Sequence, residues 1–232
     1  MDNSARLYPD LSRLGRETEM FMATVETLSD AEMTAPSLCA GWTRADVIAH
    51  ITSNGHAIAK LIDWATSGEP QQLYASSEAR AQEIAELAAL PRVELLGRLR
   101  ESAQFFAEQA KRLEGELAVE EVDLHGKKIP ATSIVALRIA EVVVHHHDLD
   151  TAWTIAEADP DSVLNAVEAA VRTMRAKGAP GMTLTTEEGE EWVVGDGALR
   201  VSSDREGMLE WLARGAAGNL DADGPLPVLP AW

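Results

Sequence analysis

From Leu7 to Leu28 the apolar residues Leu7, Leu11, Leu14, Phe21, Val25 and Leu28 recur every three or four positions where they cluster, the spacing of one apolar stripe along a helix. A stripe of that length must be covered, and the stretches that follow supply the partners. After a break at Ala35, Pro36 and Ala40-Gly41, Thr43 with Asp46 three positions on resembles a capping box, with Asp where Glu is usual. It opens a second helix to about Thr66, ended by Ser67-Gly68-Glu69-Pro70. Residues 78–90 and 91–113 read as two helices or one kinked helix, with Pro91 in a first turn, where its missing N–H has no intrahelical role. Beyond a polar stretch holding His125-Gly126-Lys127-Lys128, Pro130 precedes a strongly apolar helix from about Thr132 to Ile155. Four long helices on short connections predict an antiparallel bundle.

The pattern changes between Ala156 and Pro160, where a domain boundary is expected. Asp159-Pro160-Asp161 opens a helix to about Lys177, and three short segments follow, Met182–Thr186, Glu191–Val194 and Leu199–Ser202. The first and last alternate apolar with polar residues, and the turns between the segments carry Glu188-Gly189 and Gly195-Asp196-Gly197, so an antiparallel meander is expected. A helix over Arg205–Ala213 closes the unit. The three prolines of the Pro225–Trp232 tail exclude a regular helix there. The expected class is α+β, with a helical bundle over 1–157 and a small α+β domain containing a short antiparallel sheet over 158–232.

Charge and cysteine content narrow the function. A net charge of −18, from 38 acidic against 20 basic side chains, disfavours nucleic acid and anionic membranes as partners, and an anionic small substrate would need local arginines. No charged segment leads into an apolar core near the start, and the most apolar later stretch is interrupted by Arg138 and Glu141, so a cytoplasmic protein is expected, and a monomer. The single cysteine, Cys39, permits no intrachain disulfide and excludes Cys-rich metal sites. It is read as a buried small side chain, and any metal must use His and carboxylates.

Five of the six histidines lie on two predicted helices, His50 and His56 on one and His145, His146 and His147 on the other. A side chain four positions on returns to within about 40° of the same helix face, so Glu141 and His145 project together while His146 and His147 point elsewhere, as packing or surface residues. His56 and His125 carry no assignment. Glu and His four apart also form ordinary surface pairs. Among the apolar neighbours Ile134, Leu137, Val144 and Leu149, however, an unpaired carboxylate would be costly, and a metal removes that cost. His50 is the natural third ligand of a divalent ion such as zinc, with open positions left for catalysis. Asp46 and Asn54, one turn from His50, and Asp148, seven residues after Glu141, are candidates to orient the ligands.

These residues resemble those of the mycothiol-dependent maleylpyruvate isomerase family, whose amino-terminal part belongs to the DinB-like superfamily of metal-binding four-helix bundles. The likeness rests on Gly41-Trp42-Thr43 leading into Asp46-Val47-Ile48-Ala49-His50, on Arg138-Ile139-Ala140-Glu141 through His145, and on Asp148-Leu149. It extends to a carboxy-terminal part ending in Trp211-Leu212-Ala213-Arg214-Gly215. The resemblance implies His50, Glu141 and His145 as metal ligands, mycothiol as thiol cofactor, and isomerisation of maleylpyruvate to fumarylpyruvate in gentisate breakdown. It also implies an essential arginine in the carboxy-terminal domain, for which Arg214 is the first candidate and Arg205 the second. The implied chemistry suits such a site: a metal-lowered thiol pKa gives a thiolate that adds to the cis double bond, which rotates as a single bond before the thiolate is expelled.

Two other readings stay open. A mycothiol S-transferase would add the same activated thiol to electrophiles, and a non-catalytic binding module would use the metal for structure. Only three protein ligands favour catalysis over a structural site, although Asp46 or Asp148 could close the shell.

Overall fold

The computed structural model describes residues 4–124 and 126–232, with side chains of the first helix from Leu7 onward. His125 lies outside the described residues. The chain divides into two compact units, Met1–Trp153 and Thr154–Trp232.

In the first unit, α1 spans Ser4–Thr27, α2 Asp30–Met33, α3 Arg44–Ser67, α4 Ser77–Ala88, α5 Arg92–Ala110 and α6 Ile134–Asp148. The capping box expected at Thr43 forms: Thr43 N–H donates to Asp46 Oδ2 at 2.8 Å, and Asp46 N–H donates to Thr43 Oγ1 at 3.2 Å. A second one, between Ser29 and Glu32, starts the short α2, which the spacing of apolar residues does not predict. Residues 78–113 resolve into two helices, with Pro91 not in a first turn but at the cap position before α5.

α3 is the centre of the unit. It packs against α4, α5 and α6, while α1 covers α5 and α6. That setting explains why α3 is buried almost all round, with Val47, Ile48, Ala49, Leu61 and Ile62 inaccessible. Gly55 lets α5 approach closely: a Cβ there would lie 2.4 Å from Ser102 Oγ, which donates to the Thr52 carbonyl at 2.6 Å.

The apolar helix is shorter than its pattern implied. α6 ends at Asp148 instead of running to Ile155, because Asp150 takes a left-handed conformation with φ 49° and Arg44 captures the exposed carbonyls of Leu149 and Asp150 at 2.5 and 2.6 Å. Leu38 N–H donates to the Asp148 carbonyl at 3.0 Å, so the loop bearing Cys39 and Trp42 is fastened to the end of α6. His146 packs as a core residue, stacked on Trp153 with ring centroids 3.8 Å apart, edge-on to Phe21, and 2.7 Å from Thr24 Oγ1. His147 is half-buried on the neighbouring face, and the exposed His56 rests against Phe105. The polar stretch before α6 holds an unexpected hairpin, β1 (Glu121–Leu124) and β2 (Lys127–Pro130), with Gly126 supplying the positive φ of its turn.

The second unit holds α7 (Pro160–Ala176), β3 (Met182–Thr186), β4 (Glu191–Val194), β5 (Leu199–Ser203), α8 (Arg205–Arg214) and β6 (Asp221–Ala222). The α+β class stands, with α7 and α8 packed together. The meander does not: strand order is β4-β3-β5-β6, and β5 lies parallel to β3. Left-handed Gly195 and Gly197, at φ 55° and 70°, carry the chain past the start of β3, where Leu199 N–H donates to the Gly181 carbonyl at 3.1 Å. A turn back beside β4 would have given the meander. No helix among the described residues is long and apolar enough to cross a membrane.

The close approach at Gly55 is directly testable. Gly55→Ala should drive Ser102 from Thr52 and destabilise the chain by about 1–3 kcal/mol, read as a lower urea midpoint with unchanged slope.

Candidate metal centre

α3 and α6 cross so that His50, Glu141 and His145 face one another. His50 Nε2 lies 3.0 Å and His145 Nε2 3.7 Å from Glu141 Oε2, and one ligand atom from each of the three residues lies within 4.8 Å of the others. The imidazoles meet edge-to-face at 4.6 Å between centroids. Both histidine side chains are 5% exposed against 24% for Glu141, so the cluster opens on its carboxylate side.

Charge distribution favours ligand-ready forms. Burial, together with the neighbouring His145, pushes His50 down to about 4 and keeps it neutral at pH 7. Burial works to raise Glu141, but the His50 hydrogen bond and the nearby His145 and Arg138 outweigh it and hold the carboxyl at about 2. Glu141 is therefore ionised. Asn54 Nδ2 also donates to Glu141 Oε2 at 3.1 Å, and the buried Arg138 fixes the amide by donating from Nη1 to Asn54 Oδ1 at 2.6 Å.

The two histidines are backed differently. His145 Nδ1 lies 2.7 Å from Asp148 Oδ2, which leaves its Nε2 lone pair aimed at the cluster, the arrangement of a carboxylate-oriented metal ligand. His50 Nδ1 instead receives Arg80 Nη2 at 3.2 Å. A guanidinium only donates, so Nδ1 accepts, and the ring proton sits on Nε2 and points at Glu141. Trp42 contacts both rings, edge-on to His50 at 5.5 Å and stacked on His145 at 6.4 Å.

The sequence-predicted trio is thus brought together, and Asp148 reaches His145 as expected. Asp46 and Asn54 do not orient His50: Asp46 is used in the α3 cap and Asn54 serves Glu141. Cys39 differs from its expected place as a buried small residue. It is half-buried, donates from Sγ to Asp148 Oδ2 at 3.2 Å and lies 4.0 Å from His145 Nδ1, so Cys39, His145 and Asp148 form a second group of metal-ligand type. Arg80 carried no local signal, since its place depends on how α4 returns over α3. Arg214 lies in the second unit, in the last turn of α8, where its Nη1 donates to the Ala213 carbonyl at 2.6 Å. Arg205 is engaged with Glu190 and the Pro160 carbonyl.

Residues 14–150 match the family described as the mycothiol maleylpyruvate isomerase N-terminal domain. The whole chain is similar to two crystal structures of mycothiol-dependent maleylpyruvate isomerase, one of them a His-to-Ala variant. Identities are 27% and 26%, each alignment covers 97% of both chains, and the TM-score is 0.84 for both. No curated protein sequence matches.

Acid should act on this cluster in a defined direction. The unfolded chain protonates His50 near its usual value of about 6.5 whereas the folded chain resists to about 4, so the unfolded state binds the extra proton and stability falls as pH drops through that window. His146, held by burial at about 3, acts in the same sense. Urea unfolding of the metal-free chain should lose on the order of 6 kcal/mol between pH 7 and pH 4, roughly half from each histidine, and a flat profile would show that these histidines are not held neutral.

Proposed function

The chain belongs to the mycothiol maleylpyruvate isomerase family, and from that premise we propose that it isomerises maleylpyruvate to fumarylpyruvate with mycothiol as the thiol and one divalent metal, such as zinc, held by His50, Glu141 and His145. The observation that carries the reading is the convergence of two buried imidazoles and an ionised carboxylate within 4.8 Å. The donor set fits a divalent ion: His50 is neutral, Glu141 is anionic, and His145 is oriented by a carboxylate on its far nitrogen. Nitrogen and oxygen ligands without Cys suit zinc and several neighbouring metals. When bound, such an ion supplies the Lewis acidity that lowers a thiol's pKa and offsets negative charge developing on a substrate oxygen.

The chain's own residues do the rest. Glu141 keeps one face of the cluster open while Trp42 covers the rings of His50 and His145. Arg138 and Asn54 hold the Glu141 carboxylate in a single orientation. Arg214 is the arginine we assign to a substrate carboxylate, with Arg205, whose guanidinium is engaged by Glu190, as the alternative. No side-chain nucleophile is needed for an addition and expulsion carried by an external thiol. The two-unit layout supports the isomerase reading over a transferase, since the likeness to the isomerase crystal structures spans both units.

Metal analysis of wild type beside His50→Ala, with maleylpyruvate turnover followed by absorbance on the same samples, tests the assignment. Wild type should turn over only with mycothiol and without consuming it, and His50→Ala should lose metal and fall by about 100-fold or more in rate. Retained metal and rate in the variant would remove His50 from the site. Stoichiometric loss of thiol would instead make the chain a transferase.

A further inference from the structure

Arg80, in the first turn of α4, is half-buried and makes no ion pair among the described residues, in a chain with 38 acidic side chains against 20 basic ones. Its one hydrogen bond there is the 3.2 Å contact to His50 Nδ1, which occupies a single donor of five. The guanidinium carbon lies 6.0 Å over the Trp42 ring and 5.7 Å over the Tyr74 ring. Those aromatic contacts hold the guanidinium without satisfying its N–H groups. Tyr74 adds a second donor beside it: Ser53 Oγ donates to the phenol oxygen at 3.5 Å, so the phenol's own hydrogen remains to be given, and burial keeps that hydroxyl protonated.

The contact with His50 also depends on what the other ring nitrogen does. A neutral imidazole that gives its Nε2 lone pair to a metal carries its proton on Nδ1. Nδ1 then becomes a donor and can no longer accept from Arg80, so the guanidinium loses its acceptor among the described residues.

We propose that Arg80, released from His50 when Nε2 ligates metal, binds a carboxylate of a small anionic ligand at the mouth of the cluster, with the Tyr74 hydroxyl as a supporting donor. This rests on the metal-ligand reading of His50. A carboxylate is the ligand class because the planar fork matches its two oxygens, and because an acidic chain attracts anions only where it presents an unneutralised cation. Arg80 thereby acts in substrate selection, from the first unit, alongside the role given to Arg214.

Maleate is a suitable probe, with two cis carboxylates and no need of thiol or turnover. Calorimetric titration into the zinc-loaded full chain should give affinity at least about tenfold weaker for Arg80→Met than for wild type, partly restored in Arg80→Lys, with zinc content equal in all three. Nitrogen NMR of zinc-loaded wild type should show the His50 proton on Nδ1. Unchanged maleate affinity in Arg80→Met, absence of maleate binding to wild type, zinc lost together with maleate affinity, or a proton retained on His50 Nε2 would each overturn the proposal. Maleate binding that depends on Arg80 in a chain that does not isomerise maleylpyruvate would sustain this site and remove the isomerase reading.

Discussion

Glu141 is a carboxylate carried by the most apolar helix of the chain, and the contacts that keep it ionised fix how the bundle is assembled. Burial opposes its charge, yet it is held at about 2 because His50 donates to it at 3.0 Å, with His145 and Arg138 close by. Asn54 donates as well, at 3.1 Å. These partners come from α3 and from α6 itself, so the carboxylate is satisfied in one register of the two helices. Sliding α3 by a single residue would turn His50 and Asn54 by about 100° and leave a charge in a poorly hydrated place. Apolar packing brings α3 and α6 together; the polar cluster selects which faces meet.

The same cluster explains which features can be read from the amino acids and which cannot. Glu141 and His145 share a face by helical spacing alone, and the Thr43–Asp46 box is written in four consecutive residues, so both were legible. His50 required the further step of placing two helices side by side, which burial of the carboxylate motivates. Arg80, Trp42 and Cys39 reach the site through connections of irregular structure: Cys39 and Trp42 because Leu38 and Arg44 tie their loop to the end of α6, Arg80 because α4 folds back on α3. No periodicity encodes those returns. A sulfur 3.2 Å from Asp148 is likewise invisible in a sequence with one cysteine.

In the second unit, strand positions followed from alternation and glycine, because β3 and β5 each bury alternate residues. Pairing did not follow. Alternation is the same for parallel and antiparallel neighbours, and the choice is made by how the backbone passes Gly181, where a Cβ would strike Asp196 Oδ1. The overlong reading of α6 has a similar cause: Trp153 and Ile155 continue the apolar spacing, but Trp153 is half-buried against His146 and Ile155 buried beyond the left-handed Asp150 rather than on the helix.

The contacts that set the bundle's register are made between protein groups, and where their protons lie decides what a bound cation would change. In the metal-free chain the neutral His50 donates Nε2–H to Glu141 from the side on which a cation would sit, so moving that proton to Nδ1 and seating an ion would keep the carboxylate partnered from the same direction. What changes is the far nitrogen of each imidazole. His145 already holds Asp148 against Nδ1 and needs no rearrangement, whereas His50 faces a cation there and must reverse its tautomer. Of the two proposed ligands, one is preorganised and the other is coupled to an arginine. Filling the proposed site would thereby be linked, through a single ring, to a change in the donors presented at its mouth.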